Sequence, residues 1–116
     1  MAQHWCTQGD GIFLNELTWK EDVETGDIYE LIDEYKAPEE LEEVAYHLIC
    51  QYDDEEGHAY LIPYTSRIDR AEGVKCFTSL EMAKVIYDIL KDYLDEAETV
   101  ETIAGKIDYV ELWGYC

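Results

Sequence analysis

Positive charge is what this sequence has least of: eight Lys and Arg stand against 28 Asp and Glu, a formal net charge of −20 on 116 residues. That scarcity excludes direct binding to nucleic acid, which draws its affinity from Lys and Arg side chains neutralising phosphates. Long apolar runs are also missing. Nothing approaches the roughly 18 consecutive apolar residues of a membrane span, and no basic segment followed by an apolar stretch opens the sequence. Neither insertion nor secretion is therefore expected, and the cytoplasm is the expected location. The sequence contains no G-x-S-x-G, H-E-x-x-H, phosphate-binding loop or dinucleotide fingerprint, the local patterns that position a nucleophile, a metal or a cofactor phosphate. With carboxylates throughout, no single pair stands out as an acid/base couple, and the expectation is a protein that is not an enzyme.

Cysteine is sparse and scattered. Cys6, Cys50, Cys76 and Cys116 are even in number but irregular in spacing, so free thiols are expected rather than a disulfide framework. Cys50 and Cys76 lie in apolar company and read as small core residues, and Cys116 as an exposed one. His47 and Cys50 stand three apart, with His4, Cys6 and His58 elsewhere. A structural zinc site needs two tight ligand pairs, and only one is present. The Asp53 to Glu56 run lacks the alternating ligands and mid-loop Gly of a calcium loop and reads as a charged turn. No cofactor or metal is expected. A small metal-binding domain or enzyme built on His47, Cys50 or His58 remains the competing reading.

What the chain does have is enough apolar material to fold. Hydrophobic residues make up 47%, with ten Tyr and three Trp, unlike the aromatic-poor composition of disordered chains. The length suits one core, so residues 1–116 are read as a single acidic domain. Ile28, Leu31, Ile32 and Tyr35 fall at i, i+3, i+4 and i+7 and predict a helix over 27–36. Pro38 opens a second helix over 38–52, with Leu41, Val44, Ala45, Leu48, Ile49 and Tyr52 as its stripe and Glu39 and Glu40 at its positive end. The stretch 44–52 also suits a strand hairpinned to 58–64, and helix is preferred. Thr78 and Glu81 form a capping pair ahead of a helix over 79–96. Strands are expected near 12–19, 58–64, 73–77 and 107–113. The fold class is α+β: a small mixed or antiparallel sheet covered by about three helices in one compact domain.

A charge of this size exceeds the magnitude of about 2–8 that keeps a small domain soluble. Self-repulsion of this kind opposes folding, and is tolerated where the field steers a cationic partner or repels an anionic one. The field is also uneven. Residues 1–58 carry 17 acidic and 2 basic side chains, a net of −15, whereas residues 59–116 carry 11 and 6, a net of −5. A salt-adapted, uniformly solvated surface would not leave Arg67, Arg70, Lys75, Lys84, Lys91 and Lys106 in the second half.

Between Asp27 and Glu56 stand twelve acids and a single base, Lys36. They are Asp27, Glu30, Asp33 and Glu34 on the first helix, Glu39, Glu40, Glu42 and Glu43 on the second, and Asp53, Asp54, Glu55 and Glu56 in the turn. These are the candidate partner-binding residues. Carboxylates three or four residues apart on a helix start from Cβ atoms about 5–6 Å apart, and phosphates along one DNA strand rise about 3.4 Å each. Rows of such side chains approach the charge density of a duplex edge. The expected partner is a basic protein, a nucleic-acid-binding nuclease or effector complex. The expected function is an inhibitor occupying that protein's nucleic-acid-binding surface, in the manner of the DNA mimics that phages and mobile elements deploy against bacterial restriction and CRISPR enzymes. An immunity protein that neutralises a basic nuclease toxin is the alternative. Tyr46, Tyr60 and Tyr64 are placed at the edge of this region, where rigid rings with polar tips serve interfaces as readily as cores.

Overall fold

The structure, a computed structural model, describes residues 10–21, 23–48, 50–53, 55–62 and 77–109. Four short strands, β1 (Asp10–Phe13), β2 (Cys50–Asp53), β3 (Ala59–Ile62) and β4 (Asp108–Tyr109), pair antiparallel in the order β2-β3-β1-β4. Ile12 sits opposite Leu61, Tyr52 opposite Tyr60, and Gly11 opposite Asp108. Strand alternation sends successive side chains to opposite faces. Ile12, Ala59 and Leu61 enter the main core, while Phe13, Tyr60 and Ile62 form a smaller cluster. All four residues of β3 are buried, so it reads as an unbroken apolar run rather than an alternating one. The fold class is α+β, as the sequence predicts.

Four α-helices complete the described architecture: α1 (Thr25–Glu34), α2 (Glu42–Leu48), α3 (Ser79–Leu90) and α4 (Val100–Lys106). α3 is the centre. Met82, Ala83, Val85, Ile86, Ile89 and Leu90 are all buried, an apolar arc too wide for one neighbour, and α1, α2 and α4 all pack on it. Its start is the predicted capping box: the Glu81 amide donates to Thr78 Oγ1 at 3.2 Å and the Thr78 amide to Glu81 Oε1 at 3.1 Å. Each bond satisfies a backbone donor that the first helical turn leaves orphaned.

Several boundaries differ from the sequence reading. The expected strand over 12–19 is shorter and earlier, because Leu14–Glu16 coil into a 3-10 turn that puts Leu14 and Leu17 into the core. The helix expected over 38–52 splits into a 3-10 turn at Glu39–Leu41, α2, and then strand β2. Cys50–Asp53 find their backbone partners across the hairpin to β3, and the turn between the strands includes Gly57, whose φ of +86° disfavours any residue with a Cβ. The hairpin reading was thus right for 50–53 and the helix reading for 42–48.

The helix expected over 79–96 stops at Leu90. The chain turns, and Leu94 pairs with Trp19 while the Asp95 amide donates to the Thr18 carbonyl at 2.9 Å and the Lys20 amide to the Tyr93 carbonyl at 2.9 Å. Leu94 reaches the core either way, so apolar spacing did not distinguish the two. α4 was not foreseen, although Thr99 caps it: the Thr102 amide donates to Thr99 Oγ1 and the Thr99 amide to Thr102 Oγ1. Of the strand expected over 107–113, Asp108–Tyr109 is present and the rest lies outside the described residues. The strand expected over 73–77 also falls outside them, except Phe77, which is buried ahead of the Thr78 cap and is not in a strand. No helix among the described residues is long and apolar enough to cross a membrane.

Candidate functional site

The acidic residues reach the surface through ordinary amphipathic logic. On α1, Ile28 and Ile32 face the core, which leaves Asp27, Glu30, Asp33 and Glu34 exposed on the far side. On α2, Val44 and Leu48 are buried, and Glu42 and Glu43 project outward, preceded by exposed Glu39 and Glu40 in the 3-10 turn. Asp53 ends β2, and Glu55 and Glu56 are exposed in the loop. Asp54 lies outside the described residues.

The structure joins the α1 acids to those of the hairpin. The Tyr29 hydroxyl lies 2.9 Å from Asp53 Oδ1 and 3.0 Å from the Tyr52 carbonyl oxygen, with its one proton to share between them. Gln51 Nε2 donates to Asp33 Oδ1 at 2.8 Å and to the Tyr29 carbonyl at 3.3 Å. These ties are neutral donors, so they hold carboxylates in place without cancelling their charge. Burial, then the bond to Asp53 and its negative charge, raise the Tyr29 phenol well above the ordinary tyrosine value. The α2 acids stand on a separate helix. Just past α1, the Tyr35 hydroxyl donates to Asp88 Oδ2 on α3 at 2.6 Å, and its phenol is likewise pushed up, by burial first, then by Asp88, with a contribution from the charge of Glu40.

Two of the described lysines pair outside the acidic set. Lys91 pairs with Asp88 at 3.2 Å and Lys106 with Glu98 at 2.5 Å. Within the acidic set, Glu56 has His58 Nδ1 at 3.8 Å, an ion pair only when the imidazole is protonated. Asp27, Glu30, Glu34, Glu39, Glu40, Glu42 and Glu55 make no ion pair among the described residues. Of the three tyrosines singled out from sequence, Tyr46 is 81% exposed on α2, Tyr60 is buried in the second apolar cluster, and Tyr64 lies outside the described residues.

Two features escaped the sequence reading. Glu98 is only 4% exposed and receives the Thr18 amide at 2.7 Å, the Thr102 hydroxyl at 2.7 Å and the Lys106 ammonium. Burial alone would push its carboxyl up. Lys106, the Thr18 amide and the Thr102 hydroxyl together outweigh that and hold it below the ordinary glutamate value. No local pattern marks Glu98 as buried, since its partners come from residues 18, 102 and 106. The second feature is an open cleft of about 530 Å³ lined by Lys20, Glu21, Val23, Asp92, Tyr93, Asp95 and Glu96. It forms where the 20–23 segment runs beside 92–96, a pairing that no sequence spacing reveals.

Among the described residues no three His, Cys, Asp or Glu side chains converge to hold a metal ion. The His47 ring instead packs between Tyr46 and Phe77, with ring centroids 5.0 and 5.8 Å away. The side chains of Cys6, Cys50, Cys76 and Cys116, and His4, lie outside the described residues. Comparison of the chain with known protein families, with curated proteins and with solved structures finds no match.

Proposed function

We propose that this protein is an acidic binder that occupies the polyanion-binding surface of a basic protein, as a DNA mimic inhibiting a nucleic-acid-binding enzyme of bacterial defence. The observation that supports the reading is the run of exposed carboxylates on α1, the 39–43 segment and the hairpin, among which Asp33 and Asp53 are held by the neutral donors Gln51 and Tyr29 rather than by cations. A carboxylate already paired with Lys offers little to an incoming cation. One that is free but positioned offers its full field and loses less freedom on binding. A surface evolved to take phosphates would accept such an array, and electrostatic attraction would speed their encounter.

The test is capture of a partner from bacterial lysate with the full chain as bait, followed by competition with a DNA duplex. Displacement by duplex, together with affinity that falls steeply with salt, supports the reading. A partner that binds the chain and the duplex simultaneously would sink it.

A further inference from the structure

We infer that α2 presents an arginine-recognition surface, centred on Tyr46 with the Glu42 carboxylate one turn before it, to the basic protein partner; this rests on the basic-partner reading above and specifies its contact chemistry. At about 100° per residue, Glu42, Tyr46 and Glu43 occupy one arc of the helix. Val44 and Leu48 occupy the opposite, buried side. Tyr46 therefore stands between two carboxylate positions, four and three residues before it, and helical side chains lean over the turn preceding their own Cα. Tyr46 thus sits one turn after Glu42 on the exposed side of α2, with Glu39 in the 3-10 turn that precedes the helix.

Tyr46 is the most exposed of the large apolar side chains described, at 81%. It is nonetheless braced: its ring meets His47 edge-on at 88°, and His47 in turn packs on the buried Phe77. A ring held at one side and open at the other offers a face to a planar cation, and a carboxylate one turn away offers its acceptors. Arginine uses both at once, because the guanidinium stacks on aromatic faces and bonds carboxylates through a planar fork. An ammonium is a compact, strongly hydrated point charge that gains less from the ring. The opposite charges of α2 and a basic surface name the occupant, and the exposed ring selects arginine over lysine within it.

The experiment titrates the full chain with a capped oligo-arginine peptide and a matched oligolysine peptide, following the Tyr46 ring by NMR and affinity by calorimetry. The arginine peptide should bind more tightly, and Tyr46→Ala should remove that preference with a loss of about fivefold. Tyr46→Phe should keep it, and Tyr93→Ala, an exposed aromatic on another segment, should leave it unchanged. Glu42→Gln should weaken both peptides. Equal affinity for the two peptides, or a preference that survives Tyr46→Ala, would overturn this inference while leaving the acidic-binder reading standing. Failure of the wild-type chain to bind either peptide at low ionic strength would overturn both. A dimer in sedimentation that Tyr46→Ala dissociates would assign the surface to a second copy of the chain instead.

Discussion

Lys106, at the end of α4, places its ammonium 2.5 Å from the carboxylate of Glu98, eight residues earlier and almost completely buried, and also donates to the Glu16 carbonyl at 3.1 Å. With the Thr18 amide and the Thr102 hydroxyl completing its shell, Glu98 ties together three segments distant in sequence: 16–18, the approach to α4, and α4 itself.

Lys106→Met leaves the buried Glu98 carboxylate with only the Thr18 amide and the Thr102 hydroxyl, and because the Lys106 side chain is 30% exposed the cost should fall below the roughly 3–5 kcal/mol of a fully buried pair. Glu98→Gln keeps the shape and part of the hydrogen bonding and should cost less. Because the folded Glu98 carboxyl sits below its ordinary value, its stabilisation is complete above the usual glutamate range and disappears as pH falls through the lowered value. The stability gap between wild type and Glu98→Gln in urea denaturation should accordingly stay constant near neutrality and close in acid. A gap independent of pH would contradict the buried-pair account.

Tyr29 and Tyr35 should ionise well above the ordinary tyrosine range. Burial and their carboxylate partners raise both phenols. The contribution of each is intact below the ordinary tyrosine value and is lost as pH rises through the raised one. Ultraviolet titration of phenolate absorbance in Tyr29→Phe and Tyr35→Phe should show the missing group leaving the most alkaline part of the curve. Each variant should also lose about 0.5–1.5 kcal/mol near neutrality, the net worth of a typical hydrogen bond.

Added salt should stabilise this protein. The exposed acids of α1, α2 and the hairpin repel one another, and the Debye length contracts to about 8 Å at 0.15 M ionic strength. Thermal melts should shift upward between low and moderate sodium chloride. A flat or falling response would mean that the carboxylates are compensated in a way that the ion pairs described here do not supply.

Neutralising the acids of the 39–43 segment, the 3-10 turn and the start of α2, should weaken partner binding more than neutralising exposed acids elsewhere. The triple change Glu39→Gln, Glu42→Gln and Glu43→Gln should preserve the circular dichroism spectrum and lower affinity for the basic partner. Asp92→Asn, Glu96→Gln and Glu101→Gln, equally exposed, should do far less. Asp88 is unsuited to such a control, because it holds Tyr35 and Lys91. Equal losses would show that bulk charge suffices, and no loss from the 39–43 triple would remove that segment from the interface.

The α+β class, the helical stripe of Ile28 and Ile32, the Thr78–Glu81 cap and the exposure of the α1 and α2 acids were all legible in the sequence. Each depends on neighbours within about one helical turn, and spacing in the chain reports that directly. Only the tertiary structure decided that the chain past Leu48 pairs with β3, that Leu94 meets Trp19 outside any helix, that Glu98 is buried on Lys106, and that Asp33 and Asp53 are tied through Gln51 and Tyr29. Leu94 is buried in a helix or out of it, and Asp33 and Asp53 are exposed with or without those ties, so local patterning does not separate the alternatives. The choice rests on backbone and side-chain partners dozens of residues away, and a pattern of adjacent residues carries no record of them.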